Sequence, residues 1–220
     1  GVLLKAFVGI LNSFGLDNLY IIPIIESSYF IYKEIKEEYF REMYSSILNH
    51  KDRVLGIRIG LTDVLGMYGI RRKREFCIYD NLIATSFIED VINYLNRDEL
   101  DIPISAGVSE LFNMDDEKIR ELYIKEIKLD RYHGFVGKTV IHPKQIEIVQ
   151  ALSTISYEDY MDAKDIIENY YSEIGVKKSS NGDKMNEYKP HYKWAKKIMK
   201  LAYIYGVLNE GVDYNELIEV

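Results

Sequence analysis

The 220-residue chain has one cysteine, Cys77, so it can build neither a disulfide framework nor a thiolate zinc site. It has no surplus of basic residues either. Its 35 Asp and Glu outnumber 28 Lys and Arg and leave a net charge of −7. A general nucleic-acid binder needs a basic face to neutralise phosphates, so that class is set aside. Apolar runs are short, and none approaches the ~20 residues that span a bilayer. Gly1-Val-Leu-Leu-Lys5 lacks the basic n-region and cleavage pattern of a signal peptide. A reducing cytoplasm is the expected compartment, with no membrane and no nucleic acid as partner. What remains is 47% hydrophobic and 29% charged residues, the balance of a folded domain with one substantial core.

Short apolar runs alternate with longer helical patterns, as in parallel βαβ units. Gly1–Lys5 reads as the tail of a strand. Leu19–Glu26 reads as a strand, Tyr29–Leu48 as a helix and Val54–Thr62 as the next strand. Asn81–Asn96 carries Ile83, Phe87, Val91 and Leu95 at every fourth position, which predicts a helix. Ile102–Ala106 and Val136–Ile141 read as strands around a helix at Asp115–Leu129, and Pro143–Leu152 as a short helix. Tyr157–Ile174 is helical. The polar stretch Lys177–Lys184 is a loop or lid, and His191–Leu208 is an amphipathic helix. Four strands and a fifth partial one are too few for a closed (β/α)8 barrel of ~250 residues. The chain is therefore either the C-terminal part of such a barrel, with exposed strand edges, or an open α/β sheet.

Two carboxylates end two of the apolar runs. Leu19-Tyr-Ile-Ile-Pro-Ile-Ile-Glu26 delivers Glu26, and Val54-Leu-Gly-Ile-Arg-Ile-Gly-Leu-Thr-Asp63 delivers Asp63. In an α/β barrel the C-terminal strand ends carry the chemistry. Two hard oxygen ligands there suit Mg²⁺, which keeps several waters and needs few protein ligands. The plainer account makes both acids caps for the helices that follow. Arg58 lies five residues before Asp63, and strand alternation aims it away from that acid unless Gly60 forms a bulge. A salt bridge under the helices explains it as well as substrate binding does. Arg71-Arg-Lys-Arg74 suits phosphate or CoA oxygens, or is simply a solvated face. Tyr68, in the same loop, is read as a packed tyrosine. Lys138 either snorkels or pairs with a carboxylate. His50, His133 and His191 lack zinc-ligand spacing. Cys77 is expected in or near the core.

Three segments, in order, resemble the citrate lyase β-subunit and malyl-CoA lyase family of carbon–carbon lyases. Ile24-Ile-Glu-Ser-Ser28 is similar to its strand-five motif, and Ile59-Gly-Leu-Thr-Asp-Val64 to its strand-six motif. Gly134-Phe-Val-Gly-Lys-Thr-Val-Ile-His-Pro-Lys-Gln-Ile146 is close to its long strand-eight signature. A narrower likeness joins Arg58–Arg72 and Met185–Ala195 to the citrate-lyase-like branch found with bacterial tellurium-resistance and stress gene clusters.

The resemblance implies a (β/α)8 TIM barrel whose first three βα units are absent from this chain, plus C-terminal helices. Residues 1–152 would form the barrel portion and 153–220 a helical extension with a lid. It implies a Mg²⁺-dependent retro-aldol or retro-Claisen lyase acting on a small hydroxy- or keto-acid or its CoA thioester, so that Mg²⁺ is the cofactor and CoA part of the substrate. Glu26 and Asp63 would be the metal ligands and Arg58 a catalytic residue. Arg71, Arg72 and Lys5 would bind substrate, Lys5 standing where the family has Leu-Pro-Lys but with Leu4 in place of the proline. Members form trimers or hexamers, and a lid acid reaches a neighbouring subunit for proton transfer. Here that acid is Glu187, unless Asn186 takes its position. His142 is expected to shape the barrel rim and not to act as a base. The alternative function is a non-catalytic member that binds a ligand or partner in a stress-response assembly.

Overall fold

The computed structural model describes residues 2–16 and 18–218. Two compact units, Gly1–Gln145 and Ile146–Val220, divide the chain. The first holds α1 (Val2–Ser13), β1 (Ile24–Ile25), α2 (Lys36–Asn49), β2 (Ile57–Ile59), α3 (Leu61–Gly66), α4 (Leu82–Leu95), β3 (Ile104–Ala106), α5 (Glu117–Tyr132) and β4 (Gly137–Lys138). The helix α6 (Pro143–Ala151) spans the division, seven residues before the boundary expected at 152.

The four strands pair in the order β1-β2-β3-β4, all parallel. Each strand lies beside its sequence neighbour. A doubly wound open sheet reverses its strand order at a switch point; this sheet does not reverse. Right-handed crossovers in an unreversed order place every helix on one face. The result is a sector of an α/β barrel.

Alternation along the strands divides the side chains cleanly. Ile25, Ile57, Ile59, Ile104 and Ala106 are buried on the helix-covered face, in one cluster with Phe40 and Ile47 of α2 and Phe87, Val91 and Leu95 of α4. Phe40 stacks on Tyr94 with ring centroids 4.9 Å apart. Ile24, Arg58, Ser105 and Gly137 form one register row on the opposite face. That face is open, and Ile24 is 44% exposed.

Several elements differ from the sequence reading. Residues 2–5 open a helix, not the end of a strand. Leu4 and Val8, one turn apart, are buried, so a helical period runs through the segment; Gly1 lies outside the described residues. Leu19–Glu26 shrinks to Ile24–Ile25 plus a single bridge from Ile21 to Val54. Pro23 has no N–H for the ladder, although its carbonyl accepts from the Arg58 N–H at 2.9 Å. The Tyr29–Leu48 helix starts late, at Lys36, after a 3₁₀ turn over Ser28–Phe30. β2 stops at Ile59. Gly60 is the N-cap of α3, so Thr62 and Asp63 are helical.

In the second unit, α7 (Tyr157–Glu168) and α8 (Tyr192–Tyr205) pack together, and β5 (Val176–Lys178) pairs antiparallel with β6 (Met185–Glu187). The polar stretch expected as a loop is therefore a hairpin. Asp162 on α7 fixes it, accepting hydrogen bonds from the Ser180 N–H and hydroxyl at 2.7 Å and from the Asn186 amide at 3.0 Å. Burial pushes the Asp162 pKa up, but those hydrogen bonds outweigh it and hold the carboxyl below its ordinary value.

Candidate functional site

Glu26 follows β1 directly. The Gly60 N–H donates to the Ile25 carbonyl at 3.0 Å, so Glu26 and Gly60 occupy the next register row of the open face. A Cβ at Gly60 would stand 2.3 Å from Glu26 Oε2 and 2.6 Å from Glu26 Cβ. The Glu26 side chain thus lies on the bare Cα of Gly60, three residues before Asp63. At the end of β3, a Cβ on Gly107 would come within 2.9 Å of Leu61 Cδ1, which fixes where α3 starts. Two glycines therefore bring the carboxylate of one strand end against the helix that carries the other.

Neither acid is a cap. The turn starting at Ser28 and the helix starting at Leu61 have no side-chain hydrogen bond at their N-caps, Ser27 and Gly60. Among the described residues, the side chains of Glu26 and Asp63 take part in no hydrogen bond or ion pair. The donor set is two hard carboxylates, half-buried for Glu26 and exposed for Asp63, with no third His, Cys, Asp or Glu among the described residues to complete an all-protein cage. That set fits Mg²⁺, whose remaining positions are filled by water and substrate oxygens. Gly60→Ala is expected to displace Glu26. Calorimetric titration with Mn²⁺ should read a loss of affinity of roughly tenfold or more, and urea unfolding a loss of ~1–3 kcal/mol from overpacking.

The sequence reading aimed Arg58 away from Asp63 by strand parity. That parity does not reach Asp63, because the strand has ended. Arg58 shares the open face with Glu26, one row (~7 Å) nearer the N-terminal ends of the strands. Its Nε donates to Thr139 Oγ1 at 3.2 Å. Among the described residues it forms no salt bridge.

The basic run splits. Arg71 is exposed, while Arg74 meets Asp116 at 3.0 Å on the surface. Arg72 turns inward with a side chain 4% exposed, 2.5 Å from Glu126 Oε2, and donates to Ser109 Oγ at 3.0 Å and to the Phe76 carbonyl at 3.2 Å. A guanidinium so engaged has little left for a substrate. Lys138 lies in the same cluster, paired with Glu126 at 2.9 Å and Asp130 at 2.7 Å, and Tyr79 donates to Asp130 at 2.7 Å. Burial pushes the Asp130 pKa up, against the pull of Lys138. For Lys138 burial lowers the pKa, but Glu126 and Asp130 outweigh it and raise the ammonium above the ordinary lysine value. Burial and the Asp130 charge raise the Tyr79 phenol.

The rest of the strand-eight-like signature is a clamp. Gly134 has φ +100°, closed to L side chains. Gln145 is fully buried. Its Oε1 accepts from the Ile141 and His142 N–H groups at 2.8 and 3.2 Å, and its Nε2 donates to the Leu111 carbonyl at 3.0 Å. His142 stacks on Phe112, and its Nδ1 accepts from the Lys144 N–H at 3.3 Å. Cys77 is buried, and burial raises its thiol pKa.

Lys5 is exposed on α1 and lines an open groove along α2 with Glu38, Arg41 and His50. In the second unit, Asn186 is buried as the hairpin anchor, and Glu187 is the exposed acid beside it. The sequence reading did not identify Glu126, Asp130, Thr139, Ser109 or Gln145. The signal for two of these was there: acids four apart on the apolar stripe of α5, with Tyr123 and Ile127.

Residues 3–207 match the family described as the C–C bond lyase of the TIM-barrel fold. The CitE protein of Mycobacterium tuberculosis, solved in complex with magnesium, acetoacetate and coenzyme A, has a similar structure. The TM-score is 0.57 at 18% identity, over 84% of this chain and 61% of that one. A citrate lyase of Burkholderia xenovorans LB400 gives a TM-score of 0.58 at 14% identity, over 90% of this chain and 56% of that one. The chain thus spans less than two thirds of either structure, and the likeness is one of fold. No curated protein matches the chain. No helix among the described residues is long and apolar enough to cross a membrane.

Proposed function

Given that the chain belongs to the C–C bond lyase family of the TIM-barrel fold, we propose that it serves a Mg²⁺-dependent carbon–carbon lyase acting on a small hydroxy- or keto-acid or its CoA thioester. One observation carries the reading: the side chains of Glu26, just past β1, and Asp63, in the first turn of α3 after β2, have no hydrogen-bond or ion-pair partner among the described residues. The CitE structure, which holds magnesium, acetoacetate and coenzyme A, is consistent with it.

Glu26 and Asp63 would hold the ion. Bound there, Mg²⁺ would supply positive charge against the oxygen on which charge develops as the carbon–carbon bond breaks. Gly60 keeps the Glu26 carboxylate in place. Arg58, the cation on the same face, acts on the substrate acid. Arg71 and Lys5 are exposed cations for the anionic parts of a substrate, and Arg72 serves them by tying the Arg71 loop to Ser109 and Glu126. Glu187 is the proposed proton donor, carried on the hairpin to a neighbouring subunit in a homotrimer or hexamer. The same proposal includes a cytoplasmic location and membership of the branch linked to tellurium-resistance clusters, for which the support is the likeness of Arg58–Arg72 and Met185–Ala195.

The test is release of pyruvate, oxaloacetate or glyoxylate from hydroxy acids and acyl-CoA thioesters, with Mg²⁺ and with chelator. Release that requires the metal supports the lyase. Metal binding with no turnover of either substrate type overturns it in favour of a binding protein.

A further inference from the structure

We propose that Asn181–Gly182, in the turn between β5 and β6, is a site of spontaneous deamidation, and that its acidic product loosens the hairpin on α7. The site belongs to the second unit and does not depend on the reading of Glu26 and Asp63. It meets the proposed function only because β6 carries Glu187.

The chain contains one Asn-Gly step. Deamidation begins when the main-chain nitrogen after an asparagine attacks the side-chain amide carbon. A side chain on the following residue shields that nitrogen, and glycine has none. Every other asparagine here precedes a larger residue. The fold leaves the pair accessible: Asn181 and Gly182 are both exposed. Gly182 has φ +73°, and a Cβ there would meet no atom within 4 Å, so nothing packs against the ring that must close.

In the reaction, the Gly182 nitrogen gives its proton to a solvent base and bonds to Asn181 Cγ. The Cγ–Nδ2 bond breaks, and the nitrogen leaves as ammonia with a proton from water. Water then opens the five-membered imide. Attack at Cγ yields aspartate; attack at the main-chain carbonyl yields isoaspartate. One water is consumed, one ammonia is released, and nothing is oxidised or reduced.

Two contacts restrain the reactants. Asn181 Nδ2 donates to Glu158 Oε2 at 2.7 Å, and the Gly182 N–H donates to the Ser179 carbonyl at 2.9 Å. Both lie on an exposed turn, where local opening costs least, so they slow the step without preventing it. The product cannot remake them. An aspartate at 181 has no N–H for Glu158 and sets a second negative charge beside it. Lys184, whose Nζ is 3.1 Å from Glu158 Oε1, already lies in the field of Asp183 and Asp159. It would then face one acid more. Isoaspartate goes further: it lengthens the main chain inside the Ser179–Gly182 turn and breaks the bond that closes it. Asp162, with Ser180 and Asn186, is left to hold the hairpin.

The experiment incubates the full folded chain at neutral pH and reads the amide-to-acid exchange at each asparagine by peptide mass spectrometry. Asn181 is expected to convert first. Gly182→Ala should abolish the conversion. Asn181→Gln, which must close a larger ring, should do the same without disturbing the glycine turn. Glu158→Ala removes the acceptor and should speed conversion roughly 3–10-fold, the scale of one hydrogen bond. Asn181→Asp reproduces one product. In that variant amide hydrogen exchange at Ser179 and Ser180 should quicken roughly 3–10-fold while α1 to α5 stay unchanged, and adding Glu158→Gln should slow it again. Thermal unfolding checks that each variant folds. Conversion of Asn181 no faster than at the other asparagines, or hairpin exchange unmoved by Asn181→Asp, overturns the proposal.

Discussion

Replacing Lys138 by methionine is expected to cost the fold ~3–5 kcal/mol, the scale for removing one partner of a buried ion pair. The Lys138 side chain is 3% exposed, Glu126 1% and Asp130 5%. In the intact cluster Arg72 and Lys138 balance Glu126 and Asp130, and the Tyr79 hydroxyl satisfies a further Asp130 oxygen. Without Lys138, one cation serves two carboxylates that water cannot reach. Urea unfolding reads the loss, and a cost under ~1 kcal/mol would equate the cluster with a surface ion pair.

The pH dependence separates charge from packing. In the folded protein, burial raises the Asp130 pKa above its ordinary carboxyl value, and loss of Lys138 removes the charge that opposes the rise. A group with a raised folded pKa contributes stability below its unfolded pKa and loses it as pH rises through the folded value. The variant's deficit should therefore shrink as pH falls, because Asp130 takes up its proton at a pH above the ordinary carboxyl value. The Lys138 pKa is itself raised, so in wild type its contribution is present at neutral pH and fades above ~10.4. A deficit that stays constant with pH would assign the loss to the cavity. Adding Asp130→Asn to Lys138→Met should recover a large part of the loss, because the buried Arg72–Glu126 pair that remains is balanced.

The same cluster marks how far the sequence could be read. Apolar alternation made the four barrel strands legible, since a buried β segment needs Val, Ile or Leu at the helix-facing positions whatever follows it. The ends were not legible, because local backbone chemistry sets them. Pro23 interrupts β1, and Gly60 lets Leu61 begin a helix one residue before the strand was expected to end. Asp63 was expected at the end of a strand, and it belongs to a helix. The approach of Glu26 to α3 depends on Gly60, whose missing side chain says nothing until its neighbour is known. Residues 2–5 misled because three apolar residues in a row suit a strand as well as a helix, and only the burial of Leu4 with Val8 decides. Lys138 and Arg72 were visible as cations, but their partners sit on α5, 54 residues after Arg72 and 12 before Lys138, and no local pattern joins them.

For Glu26 and Asp63 the metal and capping accounts predict opposite outcomes. Caps contribute to folding, so Glu26→Gln and Asp63→Asn would each cost ~1 kcal/mol of stability and leave metal affinity alone. The structure gives neither side chain a capping hydrogen bond, so removing either charge should leave unfolding unchanged within ~0.5 kcal/mol. The effect is expected in the chemistry. Opposing charge on a developing oxyanion is worth several kcal/mol, so turnover should fall roughly 10³-fold in either variant. The double variant should lose little more, because residues that act as a unit are far from additive. Chelation of wild type should reproduce the loss, and added Mg²⁺ should rescue wild type but not the variants. The Glu26 side chain lies on the bare Cα of Gly60, three residues before Asp63, so a side chain at that glycine would displace it. Stability that survives Glu26→Gln while Mn²⁺ binding does not is the result that distinguishes a ligand from a cap. The reverse result, lost stability with Mn²⁺ binding intact, would return both residues to the helices they precede.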